Sequence, residues 1–439
     1  MNRSKLTIYA MLILLFGSCT KKFEGINTNP VLVTEDIIQP SMIFSGVLKN
    51  SIFPTYANSI FKEYANYYSN EASGAIFQDR DWTEPFSDFQ QNLINIAEVV
   101  RLTADDPSLS NEHAIARIWK VWVFYQLTDA YGDLPYFEAV LDMDEAINQP
   151  HYNTQEEIYR DLFKELDEAV ASFSADPSQK SFANADILFG GDIEKWTRFA
   201  NSLRLRLAIR VRYADAALAG ENVNAVLNQP LIDANGWNAK LATLNDIDIN
   251  NRNPLYNEFI NSNAYPVWAG FTVTQELLKR SDPRLDIFVS PASVGAAGFR
   301  GRPMTLHTDQ KLRYANDSTA VLPLSFQQPV YDIIVLSAAE VYFLRAEAAL
   351  AGLSTEDAGE MYRMGIRASL EQYNVDAGEI TGYLSSPAGS LAGPTGEDDL
   401  ENIIVQKYLA MYNQGTEAWA EYRRTGYPKI WTGNDLGST

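Results

Sequence analysis

The chain has 439 residues, of which 35 are Lys or Arg and 56 are Asp or Glu, so its formal net charge is −21 at neutral pH. Such an acidic chain repels phosphate backbones, and no run of basic residues is longer than two, which argues against a nucleic-acid-binding protein. A single Cys excludes an internal disulfide and Cys-rich zinc sites, and three scattered His leave little material for a histidine metal cluster. The hydrophobic content of 46% indicates a folded globular protein.

The N-terminus is typical of a secreted lipoprotein. Two basic residues precede an apolar run from Leu6 to Phe16, which is too short to span a bilayer and predicts a signal peptide over residues 1–18. The single Cys of the chain, Cys19, follows a Gly-Ser pair at the end of this run. The pattern looks like a bacterial lipobox, in which the thiol receives an acyl chain such as palmitate. We therefore expect Cys19 to anchor the mature protein to a membrane.

Beyond a polar tether over residues 19–33, helical periodicity dominates the chain. In residues 154–173 apolar side chains recur at three- and four-residue spacing, and Thr154 with Glu157 predicts a capping box at the start of that helix. The same periodicity predicts helices over residues 88–102, 112–131, 192–213, 337–351, 355–373 and 400–412. Alternation with a period of two is weak, and it predicts short strands at Leu285 to Val289 and Val330 to Val335.

Only a few residues separate the predicted helices 337–351 and 355–373. Helix pairs of about 34 residues, with Ala and Gly where the backbones cross, are the tetratricopeptide pattern. Between residues 231 and 328 the helical period fades and Asn, Gly and Pro become more frequent, which predicts a loop-rich region that carries function. The sequence thus predicts a mainly α fold, with one domain over residues 34–439 built from tetratricopeptide-like helical pairs and a loop-rich ligand-binding region.

Signatures of the common enzyme classes are missing from the sequence, since no H-E-x-x-H, G-x-S-x-G or G-x-x-x-x-G-K-[ST] motif occurs. The glycine-rich tract 295–301 lacks the strand-then-helix context of a phosphate loop, which favours a mobile or ligand-facing loop over a nucleotide site. Asp246, Asp248 and Asn250 imitate the start of a calcium loop, but the required Gly and bidentate Glu are absent, which favours a solvated turn. We predict no catalytic residue, no metal ion and no cofactor.

Aromatic residues on loops, beside Asn, Asp and Arg, offer flat apolar faces and hydrogen-bonding groups that suit sugar rings or peptides. One such segment lies around residues 78–82 and a second runs from residue 237 to 268. The predicted ligand-binding residues are Arg80, Asp81, Trp82, Trp237, Asn253, Tyr256, Tyr265 and Trp268. The alternative for each aromatic is that it fills the core beneath its loop. Four further tryptophans lie on helical stripes and are assigned to packing: Trp119, Trp122, Trp196 and Trp419.

Four stretches follow one another along the chain: the lipobox with FEGINTNP at residues 23–30, TDAYGDLPY at 128–136, SAAEVYFLRAEA at 337–348 and WAEYRRTGYP at 419–428. Together they resemble the SusD/RagB family of outer-membrane nutrient-binding lipoproteins from Bacteroidetes, in particular its second SusD-like branch. The resemblance implies a helical body with four tetratricopeptide-like pairs and a loop-rich ligand site. It also implies a surface protein that delivers glycans or peptides to a SusC-like TonB-dependent transporter.

The leading hypothesis is therefore a non-enzymatic lipoprotein of the outer membrane that binds nutrient oligomers, with a glycan favoured, and passes them to a transporter. One alternative is a surface glycan hydrolase, which would need two carboxylates roughly 5–10 Å apart in a cleft. The other is a tetratricopeptide-like scaffold that binds only proteins. The residues leave glycan and peptide open as ligand classes.

Overall fold

Helices form most of the protein. The computed structural model describes residues 39–57, 59–69, 83–139, 149–176, 178–261, 267–392 and 395–436. In these ranges the α-helices are α1 (Pro40–Ala57), α2 (Ser59–Tyr64), α3 (Thr83–Ala104), α4 (Ser110–Tyr131), α5 (Gln155–Ser172), α6 (Ile193–Val211), α7 (Ala216–Val226), α8 (Phe271–Lys279), α9 (Leu285–Phe288), α10 (Ala338–Leu350), α11 (Ala358–Gln372), α12 (Ala377–Leu384), α13 (Gly396–Ala410) and α14 (Gly415–Thr425). A π-helix covers Tyr256–Asn261.

The strands are short and pair two by two. They are β1 (Tyr68–Ser69), β2 (Leu134–Pro135), β3 (Tyr152–Asn153), β4 (Ala239–Ala242), β5 (Trp268–Ala269) and β6 (Asp332–Leu336). β1 pairs with β5, β2 with β3 and β4 with β6, each time antiparallel. Among the described residues, no helix is both long and apolar enough to cross a membrane.

The predicted helices are confirmed, and their ends agree with the structure within about five residues. The capping box that begins α5 is present, because the Thr154 side chain accepts from the Glu157 backbone and the Glu157 side chain accepts from the Thr154 backbone. The predicted strand near residues 330–335 is confirmed as β6. Local signals of this kind are reliable because the partners lie within one helical turn or one strand.

The predicted helix pair is confirmed as α10 and α11, which pack closely on each other. Gly365 of α11 lies directly over the Phe343 ring of α10, where an added Cβ would come within 2.8 Å of a ring carbon. A small residue at this point lets the two helices approach, as the tetratricopeptide pattern requires. Other neighbours in sequence pack in the same way, α3 on α4, α4 on α5 and α6 on α7. One continuous hydrophobic core connects these pairs.

A buried ion network crosses the centre of the helical body. Five cations and five carboxylates belong to it: Arg206 and Arg210 of α6, Arg212 directly after α6, Lys407 of α13 and Arg424 of α14, with Asp129 of α4, Glu340 and Glu347 of α10, and Glu417 and Glu421 of α14. Three of the four stretches that carry the family resemblance contribute to it. Their residues therefore serve to hold helices together.

Glu347 pairs with three cations of this network, Arg212, Lys407 and Arg424. Its side chain is fully buried, and it accepts from Arg424 at 2.5 and 2.8 Å and from Arg212 at 2.6 Å. Burial raises the pKa of a carboxyl group, but here Arg424 and Lys407 outweigh burial and hold the pKa of Glu347 below its usual value. The network is thus charged and paired, and removing one partner would leave a buried charge uncompensated.

The loop-rich region differs from the sequence expectation in two places. The prediction of a strand at Leu285 to Val289 is wrong. The helix α9 covers Leu285–Phe288, and the Val289 amide donates to the Leu285 carbonyl at 3.0 Å. Five residues are too few to separate a period of two from the 3.6-residue helical period. The helix α8, at Phe271–Lys279, also lies inside the region expected to be irregular.

Candidate functional site

The two segments that carry the predicted ligand-binding residues start from one small sheet. Ser69 of β1 pairs with Trp268 of β5. Residues 70–82 follow Ser69 directly in the sequence, and residues 262–266 end just before β5. Arg80, Asp81, Trp82 and Tyr265 lie outside the described residues, as does Cys19. The sheet therefore brings together the start of one segment and the end of another that is distant in sequence. We name the surroundings of this sheet the Trp268 site.

Close backbone packing builds the Trp268 site, and two glycines permit it. A Cβ on Gly270 would lie 1.8 Å from the Asn66 carbonyl oxygen, and a Cβ on Gly301 would lie 2.5 Å from the Gly270 carbonyl oxygen. The Arg302 amide donates to the Ala269 carbonyl at 2.8 Å, and the Phe271 amide donates to the Arg302 carbonyl at 2.7 Å. Arg302 is thereby fixed beside Trp268 at the end of the glycine-rich tract 295–301, whose own contact with a ligand stays a prediction.

The guanidinium of Arg302 covers one face of Trp268. Its central carbon lies 4.6 Å from the centre of the indole ring, and both residues are only 6% exposed. A cation at this distance is attracted to the electron-rich face of the ring and holds the indole in place. Trp268 is thus a rigid group at the floor of the site rather than an exposed platform at its rim.

The indole N–H of Trp268 is buried and has no hydrogen-bond partner among the described residues. In the helical body, the indoles of Trp119 and Trp196 donate to Ser51 at 3.0 Å and to Asp186 at 2.7 Å. The N–H of Trp122 also lacks a partner, but this residue borders a cavity of about 40 Å³, which is large enough for water. A buried donor without a partner costs about 1–3 kcal/mol, so an acceptor supplied by a ligand would be favourable at Trp268.

Tyr256 is linked to the same sheet through the π-helix that it begins. It is half-buried, and the guanidinium of Arg252 lies 5.9 Å from its ring. Phe259, one turn further along, packs edge-on against Tyr68 of β1 with the ring centres 6.3 Å apart. π-Helical turns are rare and occur frequently at functional sites. This one places Tyr256 on an element that contacts β1 and precedes residues 262–266.

A buried lysine of α2 interacts electrostatically with the π-helix. Lys62 is fully buried, and its ammonium group lies 4.5 Å from the ring of Tyr56 and 5.4 Å from that of Tyr68. Burial lowers the pKa of Lys62 to about 7, although the charge of Glu258 on the π-helix opposes this shift. Burial also raises the pKa of Glu258. The pair connects α2 to the turn that carries Tyr256.

Two predicted ligand-binding residues make their contacts elsewhere in the protein. Asn253 is fully buried, and its amide donates to the carbonyls of Phe326 and Gln328, both at 2.9 Å. Trp237 is half-buried under Arg198, whose guanidinium lies 4.2 Å from the ring. These contacts are to the protein itself, and no described contact joins either residue to Trp268. Their role in ligand binding stays a prediction.

Two residues of the site have no strong sequence signal. Arg302 stands in the run Arg300-Gly301-Arg302, and only the nearby glycines hint at close packing there. Lys62 lies on the short helix α2 among aromatic residues. These neighbours predict that the position is buried, but they do not predict that it holds a charged side chain. Both depend on contacts with residues far away in sequence, which a local pattern does not contain.

The loop that imitates a calcium site folds as a turn, as the sequence predicts. Asp248 accepts from the Asn250 amide at 2.9 Å, and Asp246 accepts from the Asn251 side chain at 3.0 Å. Across the described ranges, no three His, Cys, Asp or Glu side chains form a group that could hold a metal ion.

Comparison with known proteins places the chain in a family. The family model SusD-like, described as starch-binding and associating with the outer membrane, matches residues 33–438. The chain belongs to this SusD-like family. Its proteins bind carbohydrate without catalysis, so the protein is a binding protein associated with the outer membrane, not an enzyme. No curated protein matches the chain.

Solved structures support the same fold. A chitin-binding protein is 26% identical with a TM-score of 0.79, over 91% of this chain and 90% of that one. A SusD homologue from Bacteroides uniformis is also 26% identical, with a TM-score of 0.73 over 91% and 89%. A chitin-binding SusD homologue from Flavobacterium johnsoniae is 24% identical, with a TM-score of 0.73 over 90% and 88%. The mainly α fold with tetratricopeptide-like pairs is thereby confirmed.

Proposed function

We propose that the protein binds uncharged, N-acetylated glycan oligomers of the chitin type at the Trp268 site. The observation that carries this proposal is the buried indole N–H of Trp268, which has no partner among the described residues. The carbonyl oxygen of an N-acetyl group is an acceptor of the required kind. Similarity to a chitin-binding protein points to the same ligand class, and the net charge of −21 disfavours polyanionic glycans.

The rest of the site follows from the arrangement of its segments. Trp268 and Tyr256 supply apolar ring surface, Arg302 supplies a fixed charge, and Arg80, Asp81, Trp82 and Tyr265 belong to the two segments that begin and end at the sheet. Because Trp268 is only 6% exposed, its surroundings must open for a sugar to reach it. Part of the binding free energy is then used for this opening, as in any site whose binding-competent state is a minor one.

Calorimetric titration of the mature chain with chitopentaose and cellopentaose tests the ligand class. The two sugars share a β-1,4-linked backbone and differ in the N-acetyl group, so we expect binding of chitopentaose only. Trp268→Ala should lower the affinity by at least about tenfold, which corresponds to about 1.4 kcal/mol. Trp419→Ala is the matched control, because it removes a half-buried indole that the sequence assigns to packing and that stacks on Tyr422. Equal losses in both variants, or none in Trp268→Ala, would contradict the site.

Delivery to a transporter is the second part of the proposal. The family description includes association with the outer membrane, and the lipobox at Cys19 suits an anchor there at the cell surface. We propose that the anchored protein hands its ligand to a SusC-like TonB-dependent barrel. Isolation of the tagged protein from native membranes should bring such a barrel with it. Cys19→Ala should move the protein to the soluble fraction, and retention in the membrane would argue against lipid anchoring.

A further inference from the structure

A cleft of about 460 Å³ opens in the helical body, away from the Trp268 site. It lies between the start of α5, the turn from α6 to α7, and α14. We call the aliphatic part of its lining, Val211, Ala214, Leu218 and Ala420, the floor. The buried Arg210 and Arg424 line the cleft as well. Arg423 lies at its wall and is exposed. We name it the Arg423 cleft.

The acidic side chains that line this cleft already have cationic partners. Asp129 lies 3.3 Å from Arg210 and accepts from Tyr159. Glu156 and Asp215 both lie 2.9 Å from Arg160. The ion network behind the cleft contains as many cations as carboxylates. Glu156 and Asp215 share the one cation Arg160, so the wall keeps one carboxylate in excess, and the more exposed of the two, Glu156, is screened by water.

Arg423 takes no part in these ion pairs. Among the described residues it makes one hydrogen bond, from Nη2 to the backbone carbonyl of Asp129 at 2.5 Å, and none of their carboxylates is within ion-pair distance. A guanidinium has five N–H donors, so most of those of Arg423 are free for a ligand. The N-terminal ends of α5 and α7 also face the cleft, and such ends add positive potential. The combination of a free guanidinium and an aliphatic floor defines the ligand chemistry.

We propose that the Arg423 cleft is a second binding site, which takes a carboxylate carried on an apolar stem. The carboxylate pairs with the guanidinium of Arg423 in the two-bond geometry that such groups favour. The stem covers Leu218 and Ala214 and removes apolar surface from water. The C-terminal end of a polypeptide whose last residue is aliphatic carries such a group, and the site is independent of glycan binding at Trp268.

Ligand-observed NMR with three probes tests the site on the intact mature chain. N-acetyl-leucine carries a carboxylate on an aliphatic stem, N-acetyl-leucinamide lacks the charge, and glucuronate represents an acidic sugar. We expect saturable binding of N-acetyl-leucine with a Kd of about 1–10 mM and none of the amide. Tighter binding of glucuronate than of N-acetyl-leucine would show that the apolar stem does not contribute, and it would overturn the proposal. Equal binding of acid and amide, or no binding of either acid, would overturn the proposal.

Three variants test whether the ligand binds at Arg423 or responds only to the net charge of the protein. Arg423→Gln should weaken N-acetyl-leucine at least about tenfold, and Leu218→Asp should do the same because it places a carboxylate on the floor. Arg101→Gln is the matched control, since it removes the charge of an exposed Arg on α3, and it should leave the affinity unchanged. Thermal melting and chitopentaose titration show whether each variant is folded. Unchanged affinity in folded Arg423→Gln would overturn the proposal, whatever the result for the glycan.

Discussion

The helical body and the Trp268 site treat their buried polar groups differently. In the body, Trp119 and Trp196 donate their indole hydrogens to oxygen atoms, and ten charged residues balance one another in one network. The N–H of Trp122, which lacks a partner among the described residues, borders a cavity that is large enough for water. At the Trp268 site, the indole of Trp268 and the ammonium group of Lys62 are buried without a hydrogen bond among the described residues. Each such group costs about 1–3 kcal/mol. The body thus stabilises the fold, while the ligand site retains groups that a ligand or a conformational change can satisfy.

The largest expected effect tests the helical body. Glu347→Ala leaves Arg212, Lys407 and Arg424 with one buried carboxylate fewer, so we expect a loss of about 3–5 kcal/mol in the free energy of unfolding. Glu156→Ala, which removes an exposed partner of Arg160, should cost at most about 1 kcal/mol. Urea denaturation measures both. A loss below about 1 kcal/mol for Glu347→Ala would show that the network does not hold the helices.

The next effect tests the buried lysine near the ligand site. The unfolded chain keeps Lys62 protonated up to its usual pKa of 10.5, whereas the folded chain releases this proton near pH 7. The folded state binds fewer protons in this window, so Lys62 makes stability rise from pH 7 to pH 10, by up to about 1.4 kcal/mol per unit. Tyr56 and Tyr68 stay neutral there, because burial raises the pKa of both well above the usual value.

Lys62→Met removes this titration and should flatten the rise relative to the unmodified chain, with a gain in stability at pH 6. Lys164→Met is the matched control, since it deletes an exposed charge on α5 and should leave the slope unchanged. Denaturation at several pH values measures the difference. Parallel curves for Lys62→Met and the unmodified chain would exclude a buried titrating ammonium at this place.

A smaller effect concerns the crossing of α10 and α11. Gly365→Ala forces a methyl group against the Phe343 ring at 2.8 Å, and we expect a loss of about 1–3 kcal/mol. Gly382→Ala on α12 meets nothing within 4 Å and should gain about 0.5–1 kcal/mol, because Ala favours the helix. Thermal melts of the two variants should shift in opposite directions. Shifts of equal sign would mean that helix propensity alone decides both.

The smallest effect isolates the unpartnered donor. Replacement of Trp268 by 3-benzothienylalanine keeps the ring and its shape but deletes the N–H. We expect chitopentaose to bind about fivefold to tenfold more weakly, since one hydrogen bond contributes about 1 kcal/mol. The same replacement at Trp419 serves as the control. An unchanged affinity would show that the sugar does not accept from Trp268.

The local features of the fold are predictable because their partners are close in sequence. The capping box of Thr154 and Glu157 lies within one turn, and the periodic helices α4, α6 and α13 show their buried faces directly. The segment at Leu285 to Val289 is too short for its period to be read, which explains the wrong strand. Of the predicted ligand residues, Trp268 lies in the β1–β5 sheet and Tyr256 lies on the π-helix that contacts this sheet. Asn253 is buried and donates to backbone carbonyls.

By itself, the sequence determines the mainly α body and, through its four ordered stretches, the family, and it predicts the lipobox at Cys19. It does so because amphipathic periodicity, caps and short motifs are local. Only the tertiary structure decides that Ser69 pairs with Trp268, that Lys62 faces Glu258 and that Arg423 is left outside a balanced network. These contacts join residues far apart in the chain, and their electrostatics depend on burial and on the count of neighbouring charges, which three-dimensional packing alone establishes.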